Sequence, residues 1–66
     1  MERNIRLNWQ TLVKEAIKRR KEQGLTQEQL AVLSGVSKPT LNNFESGKTS
    51  ITLEKALKIL RMLSLD

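Results

Sequence analysis

Lys38, Asn42 and Asn43 are the side chains of this chain best equipped to read another molecule. A lysine ammonium can donate to O6 and N7 of guanine. An asparagine amide can bond bidentately to adenine, and each good pair discriminates by about 1–3 kcal/mol. Pro39, beside them, has no N–H to give, but its ring can touch a thymine methyl. All four fall within residues 38–43. The chemistry therefore needs one short helix that turns them outward and turns apolar neighbours, here Val36, Leu41 and Phe44, inward.

The elements that must position them can be read from their ends. Ser37 caps a helix whose first turn holds Lys38 and Pro39; proline is harmless there because those N–H groups have no helical partner. Ser46 and Gly47 end it. Before it, Thr26 opens a helix and Gln29, three residues on, completes a capping box. Leu30, Ala31 and Ser34 face inward and Gly35 closes that helix. Earlier still, Asn8 caps a helix in which Trp9, Leu12, Val13, Ala16 and Ile17 recur at three- and four-residue spacing. Gly24 ends it as a left-handed cap, and Arg19, Arg20 and Lys21 in the last turn suit the helix dipole. Thr52 caps a fourth helix, with Leu53, Ala56, Leu57, Leu60 and Leu63 as its core stripe and Ile59 beside them. No segment reads as sheet, although Ile5 and Leu7 among polar neighbours make residues 1–7 an arm or a short strand.

The expected fold is all-α: a compact bundle of four short helices, the second and third forming a helix-turn-helix. It is a single domain over residues 1–66, with residues 1–7 as arm and 8–66 as helical core. A chain of this size buries only about 60% of its unfolded surface, so its core is thin. With no Cys and no His, thiolate metal sites, disulfides and imidazole chemistry are absent. No pair of carboxylates has a supporting context for acid–base work, and no cofactor or metal is implied. No apolar run approaches the roughly 20 residues of a membrane span, and the opening MERNIRLNW is too polar for a signal peptide. A cytoplasmic protein is expected. The net charge of +5 and pI near 10.1 fit simple solubility or attraction to a polyanion, and only the arrangement can decide between them.

In a helix-turn-helix the first helix of the pair lies across the DNA backbone and the second enters the major groove. Helix N-termini and an adjacent loop can then meet phosphates. Gln27 sits one residue inside the second helix, Ser37 and Thr40 at the start of the third, and Lys48 and Thr49 just after it.

Residues 24–48, GLTQEQLAVLSGVSKPTLNNFESGK, resemble the lambda-repressor-like (XRE-type) helix-turn-helix family, and the likeness runs over about residues 10–65. That docking geometry belongs to the family itself. The resemblance implies that Gln27 bonds a phosphate and packs near the recognition helix. It implies that Lys38, Pro39 and Asn43 are base-facing, with Asn42 close to the groove edge, and that Thr40 and the Lys48–Thr49 segment meet phosphates. It also implies a partly buried ion pair, Arg20 with Glu45, joining the first and third helices. The tail, SITLEKALKILRMLSLD, is similar to that of small HipB-type antitoxins, which repress their own operon and bind a kinase-like toxin. Ser64 stands where the family usually has glycine, which predicts a less sharply ended fourth helix. Many members continue into a fifth helix or strand that builds the dimer, and here that element would begin at Asp66.

Each signal has a plainer reading. Asn42 and Asn43 could be solvated polar residues in a helix, and Lys38 a surface lysine. Trp9 begins an apolar stripe, which makes it a core or interface anchor before a base-stacking platform. The run Lys18-Arg19-Arg20-Lys21 reads as a solvated helix end, Arg20 excepted, before a nuclear signal or a phosphate patch. Glu15, Glu22 and Glu28 read as surface charges. Val32 and Leu33 are expected to pack peripherally against the first or fourth helix, the alternative being an exposed patch that meets a partner.

The function expected from these residues and the resemblance is sequence-specific binding of double-stranded DNA by a transcriptional repressor. It would act as a homodimer on a pseudopalindromic operator, most closely as the autoregulating antitoxin of a toxin–antitoxin pair. A phage-type repressor or restriction–modification controller is the alternative within DNA binding. A module that binds and neutralises a kinase-like toxin is the alternative of another class. An enzyme is not expected, because no nucleophile–base pair or metal site is visible.

Overall fold

The structure, a computed structural model, describes residues 8–65. The arm or strand expected over residues 1–7 lies outside the described residues, as does Asp66. Within them the chain forms four helices and no strand: α1 (Trp9–Glu22), α2 (Gln27–Ser34), α3 (Lys38–Glu45) and α4 (Leu53–Met62). The all-α bundle read from the sequence is the observed architecture.

Every helix starts on a side chain that accepts a backbone N–H which no helical carbonyl can reach. Asn8 Oδ1 accepts from Thr11 N at 3.1 Å, Thr26 Oγ1 from Gln29 N at 3.0 Å, Ser37 Oγ from Thr40 N at 3.2 Å and Thr52 Oγ1 from Lys55 N at 3.3 Å. The second cap is a full capping box, since Thr26 N donates back to Gln29 Oε1 at 2.9 Å.

The four C-termini share one geometry. Past each last turn a left-handed residue lets two successive N–H groups fold back on the helix. For α2 that residue is Gly35 at φ 76°, with Gly35 N donating to Val32 O at 3.2 Å and Val36 N to Ala31 O at 3.1 Å. For α4 it is Ser64, at φ 59°, with Ser64 N on Arg61 O at 3.1 Å and Leu65 N on Leu60 O at 2.9 Å. The loose end expected from the missing glycine is thus corrected. The same pair of backbone hydrogen bonds closes α4 as closes α2, and Arg19 Nη1 donates across to the Leu63 carbonyl at 3.2 Å. Serine holds a conformation that costs an L-residue about 1–2 kcal/mol. Glycine would relieve this while adding about 0.5–1 kcal/mol of unfolded-chain entropy. Ser64→Gly is therefore expected to stabilise the fold by about 0.5–1 kcal/mol and to raise Tm by a few degrees. A thermal melt followed by circular dichroism checks this; an unchanged or lower Tm would show that the Ser64 backbone carries no strain.

The core is a single cluster: Val13 and Ala16 from α1, Leu30 and Ala31 from α2, Leu41 and Phe44 from α3, and Ile59 and Leu60 of α4 with Leu63 at its end. Helix α2 packs on both α3 and α4, and α1 packs on α3. Trp9 lies edge-on to Phe44, ring centroids 5.5 Å apart at 89°, so it serves the packing and not a stacking platform. Its indole N–H is buried with no hydrogen-bond partner among the described residues. Ser34 is buried through a local bond in which its hydroxyl donates to the Leu30 carbonyl.

Two expectations about faces are corrected. Leu53, read as part of the α4 stripe, is 75% exposed, whereas Ile59, read as flanking it, is fully buried. Residues 56, 59, 60 and 63 share one side at about 100° per residue; Leu53 borders that side next to Leu60 but stands at the first helical position, at the end of the helix that the rest of the bundle leaves uncovered. Val32 and Leu33, expected to pack peripherally, are 76% and 52% exposed. Leu30, Ala31 and Ser34 already fill the side of α2 that faces α3 and α4.

Candidate nucleic-acid interface

Leu41 and Phe44 are buried without residual exposure, and they set the roll of α3. At about 100° per residue the direction opposite them is occupied by Pro39, Asn42 and Asn43, with Lys38 at the edge. Lys38, Pro39 and Asn42 are exposed; Asn43 is half-buried. Asn43 lines a shallow recess between α3 and the start of α4 together with Thr40, Ser50, Ile51, Thr52 and Lys55. The four candidate base-reading residues therefore share one outward face.

The candidate phosphate residues border that face at both ends. Ser37 Oγ donates to Thr40 Oγ1 at 2.8 Å, so the Thr40 hydroxyl keeps its own proton as a donor. Lys48 and Thr49 are exposed in the connection to α4, and Lys48 N is fixed on the Asn43 carbonyl at 3.1 Å. Gln27 begins α2 and is half-buried. Its Nε2 donates to Glu45 Oε1 at 2.8 Å, which brings the start of α2 against the end of α3.

Glu45 is the centre of the polar connection between helices. Arg20 Nε donates to Glu45 Oε2 at 2.7 Å and Arg20 Nη2 to Oε1 at 3.2 Å, a two-pronged ion pair. Arg20 Nη1 donates to the Leu25 carbonyl at 2.8 Å, tying the α1–α2 turn into the same cluster. The Arg20 and Glu45 side chains are 12% and 7% exposed.

Lys55 is a residue that the sequence reading passed over. It stands in the first turn of α4, where the positive end of the helix dipole disfavours a cation. A lysine at that unfavourable place, three residues after a Thr cap, was the available signal, and the structure sets it beside Thr40 and Asn43. Among the described residues no cluster of His, Cys, Asp or Glu could hold a metal ion, and no helix is long and apolar enough to cross a membrane.

A comparison with known protein families matches residues 17–66 to the helix-turn-helix family. A relative from Haemophilus influenzae, described as an uncharacterized HTH-type transcriptional regulator, is 42% identical over 62 residues, which cover 94% of this chain. The chain spans 60% of that relative's length. With well over half of its residues inside the family match, and with α2 and α3 joined by the Gly35 turn, the chain belongs to the helix-turn-helix family.

Proposed function

We propose that the chain is a sequence-specific, double-stranded DNA-binding transcriptional repressor, with α3 as its reading helix. The observation that carries this reading is the outward face of α3. There two amides, an ammonium and a proline ring lie together, opposite a fully buried apolar face and flanked by Thr40 and Lys48. Lys38, Pro39, Asn42 and Asn43 would meet base edges. Gln27, Ser37, Thr40, Lys48 and Thr49 would hold the backbone. A second copy on a pseudopalindromic site would double the contacts, with half-sites about one helical turn apart. The narrower role of an autoregulating antitoxin rests on the likeness of the tail. The apolar pair Val32 and Leu33, open on α2, supports a protein-binding face of that kind.

Footprinting on the promoter region of its own gene is the direct test. Affinity should fall steeply with salt, because neutralised phosphates release counterions; affinity independent of salt would sink the reading. Lys48→Ala should weaken binding to all sequences alike and lower the salt slope by about 1. Asn43→Ala should instead relax base preference by about 1–3 kcal/mol. An equal loss on every sequence for Asn43→Ala would move that residue out of the recognition role.

A further inference from the structure

Gln27 and Glu45 are linked in a way that no reading of α3 alone requires. A carboxylate can only accept, so Gln27 must offer it the amide nitrogen. The 2.8 Å bond between Gln27 Nε2 and Glu45 Oε1 therefore selects one of the two flips of the amide. The second hydrogen on that nitrogen remains a donor at the first residue of α2, where the helix's own free N–H groups begin. A phosphate oxygen has lone pairs to offer and no proton, so it would be repelled by the opposite flip, which presents the amide C=O.

We propose, resting on the DNA reading above, that Glu45 is a positioning residue for backbone binding: its carboxylate holds the Gln27 amide with an N–H, not the C=O, toward a phosphate. Arg20 makes this arrangement workable. Its guanidinium engages both carboxylate oxygens and also the Leu25 carbonyl, so Glu45 cannot swing. It also offsets a negative charge that would otherwise stand behind a phosphate contact. The cluster draws one side chain each from α1, α2 and α3. It thereby fixes the phosphate anchor on α2 relative to the reading helix that follows.

The test is a double-mutant cycle in DNA affinity, using a short mixed-sequence duplex at low salt, since a phosphate contact is indifferent to sequence. Wild type, Gln27→Ala, Glu45→Gln and the double variant are compared at a temperature where circular dichroism shows all four folded. Gln27→Ala should weaken binding about tenfold, the value of a hydrogen bond to a charged group. It should leave the salt slope unchanged, because no counterion-releasing charge is removed. Glu45→Gln should weaken binding by a similar factor in the wild-type background and by less than about twofold when Gln27 is already alanine. An equal loss in both backgrounds would make Glu45 merely structural and overturn the proposal.

The wild-type protein supplies an arm that needs no substitution. In NMR spectra the Gln27 side-chain amide should show a scalar coupling across its bond to the Glu45 carboxylate, both free and with duplex added. Release of that bond on DNA addition would overturn the proposal. If Gln27→Ala leaves affinity intact while Lys48→Ala lowers it, the positioning role fails and the DNA reading stands. If wild type shows no salt-dependent binding to the duplex, the DNA reading fails and takes the proposal with it.

Discussion

Phe44→Ala is expected to destabilise the fold by about 3–5 kcal/mol, the range for emptying a buried aromatic site. Phe44 has no residual exposure and is the largest fully buried side chain. It also receives the edge of Trp9, so its removal opens the contact between the start of α1 and the end of α3. Domains retain about 0.05–0.15 kcal/mol per residue of net stability, which leaves a chain of 66 residues only about 3–10 kcal/mol. The loss is of the same order as the whole, and the variant should be largely unfolded in mild urea. Trp9 is the only tryptophan and there is no tyrosine, so intrinsic fluorescence reports on this contact directly. Urea titration of wild type and variant measures the difference; a cost below about 1 kcal/mol would mean that the neighbours collapse into the space and that Phe44 is not the keystone of the core. DNA affinity should fall with folding in this variant. Its proper control is Asn43→Ala, which alters the opposite face of the same helix and should leave the urea midpoint nearly unchanged.

The parts of this fold that could be read in the sequence are the local ones. A cap is a side chain three residues from the N–H it accepts, so Asn8, Thr26, Ser37 and Thr52 announce four helix starts without reference to anything distant. The left-handed ends at Gly24, Gly35 and Gly47 are equally local. What could not be read depends on which helix packs where. Leu53 and Ile59 are both apolar and both adjoin the stripe of α4. Only the position of α2 against that helix decides that Ile59 is covered and Leu53 left open. The same holds for Val32 and Leu33, apolar residues on a helix whose inner side was already full. Ser64 shows a local rule yielding to its surroundings: a serine takes the glycine conformation where an arginine from α1 also grips the terminal carbonyls. At the candidate interface, the outward set on α3 follows from helix period once Leu41 and Phe44 point inward. The bond from Gln27 to Glu45 spans eighteen residues and two helices, and no spacing in the sequence encodes it.

The second large effect should come from Arg20, and it should be non-additive. Arg20→Met leaves the Glu45 carboxylate, 7% exposed, with only the Gln27 amide, and leaves the Leu25 carbonyl without its donor. A buried charge stranded in this way costs about 3–5 kcal/mol. Glu45→Leu alone strands the guanidinium in turn, although Arg20, at 12% exposed and longer, can reach solvent more readily. Removing both, as Arg20→Met with Glu45→Leu, abolishes the two desolvated charges together and fills their space with apolar side chains. The double variant should therefore recover most of the about 3–5 kcal/mol that Arg20→Met alone loses. Urea titration of the four proteins measures the coupling; costs that simply add would show that water reaches the pair and that the charges are not buried in any energetic sense. The double variant then separates two roles that the single variants confound. Its fold is restored but its Gln27 amide has no carboxylate to hold it, so it should remain about tenfold weaker on a mixed-sequence duplex than wild type. Recovery of affinity along with stability would mean that the cluster serves the fold alone. Recovery of stability without affinity is the result expected if a buried ion pair, replaceable as a stabiliser, is there to aim a neutral amide at DNA.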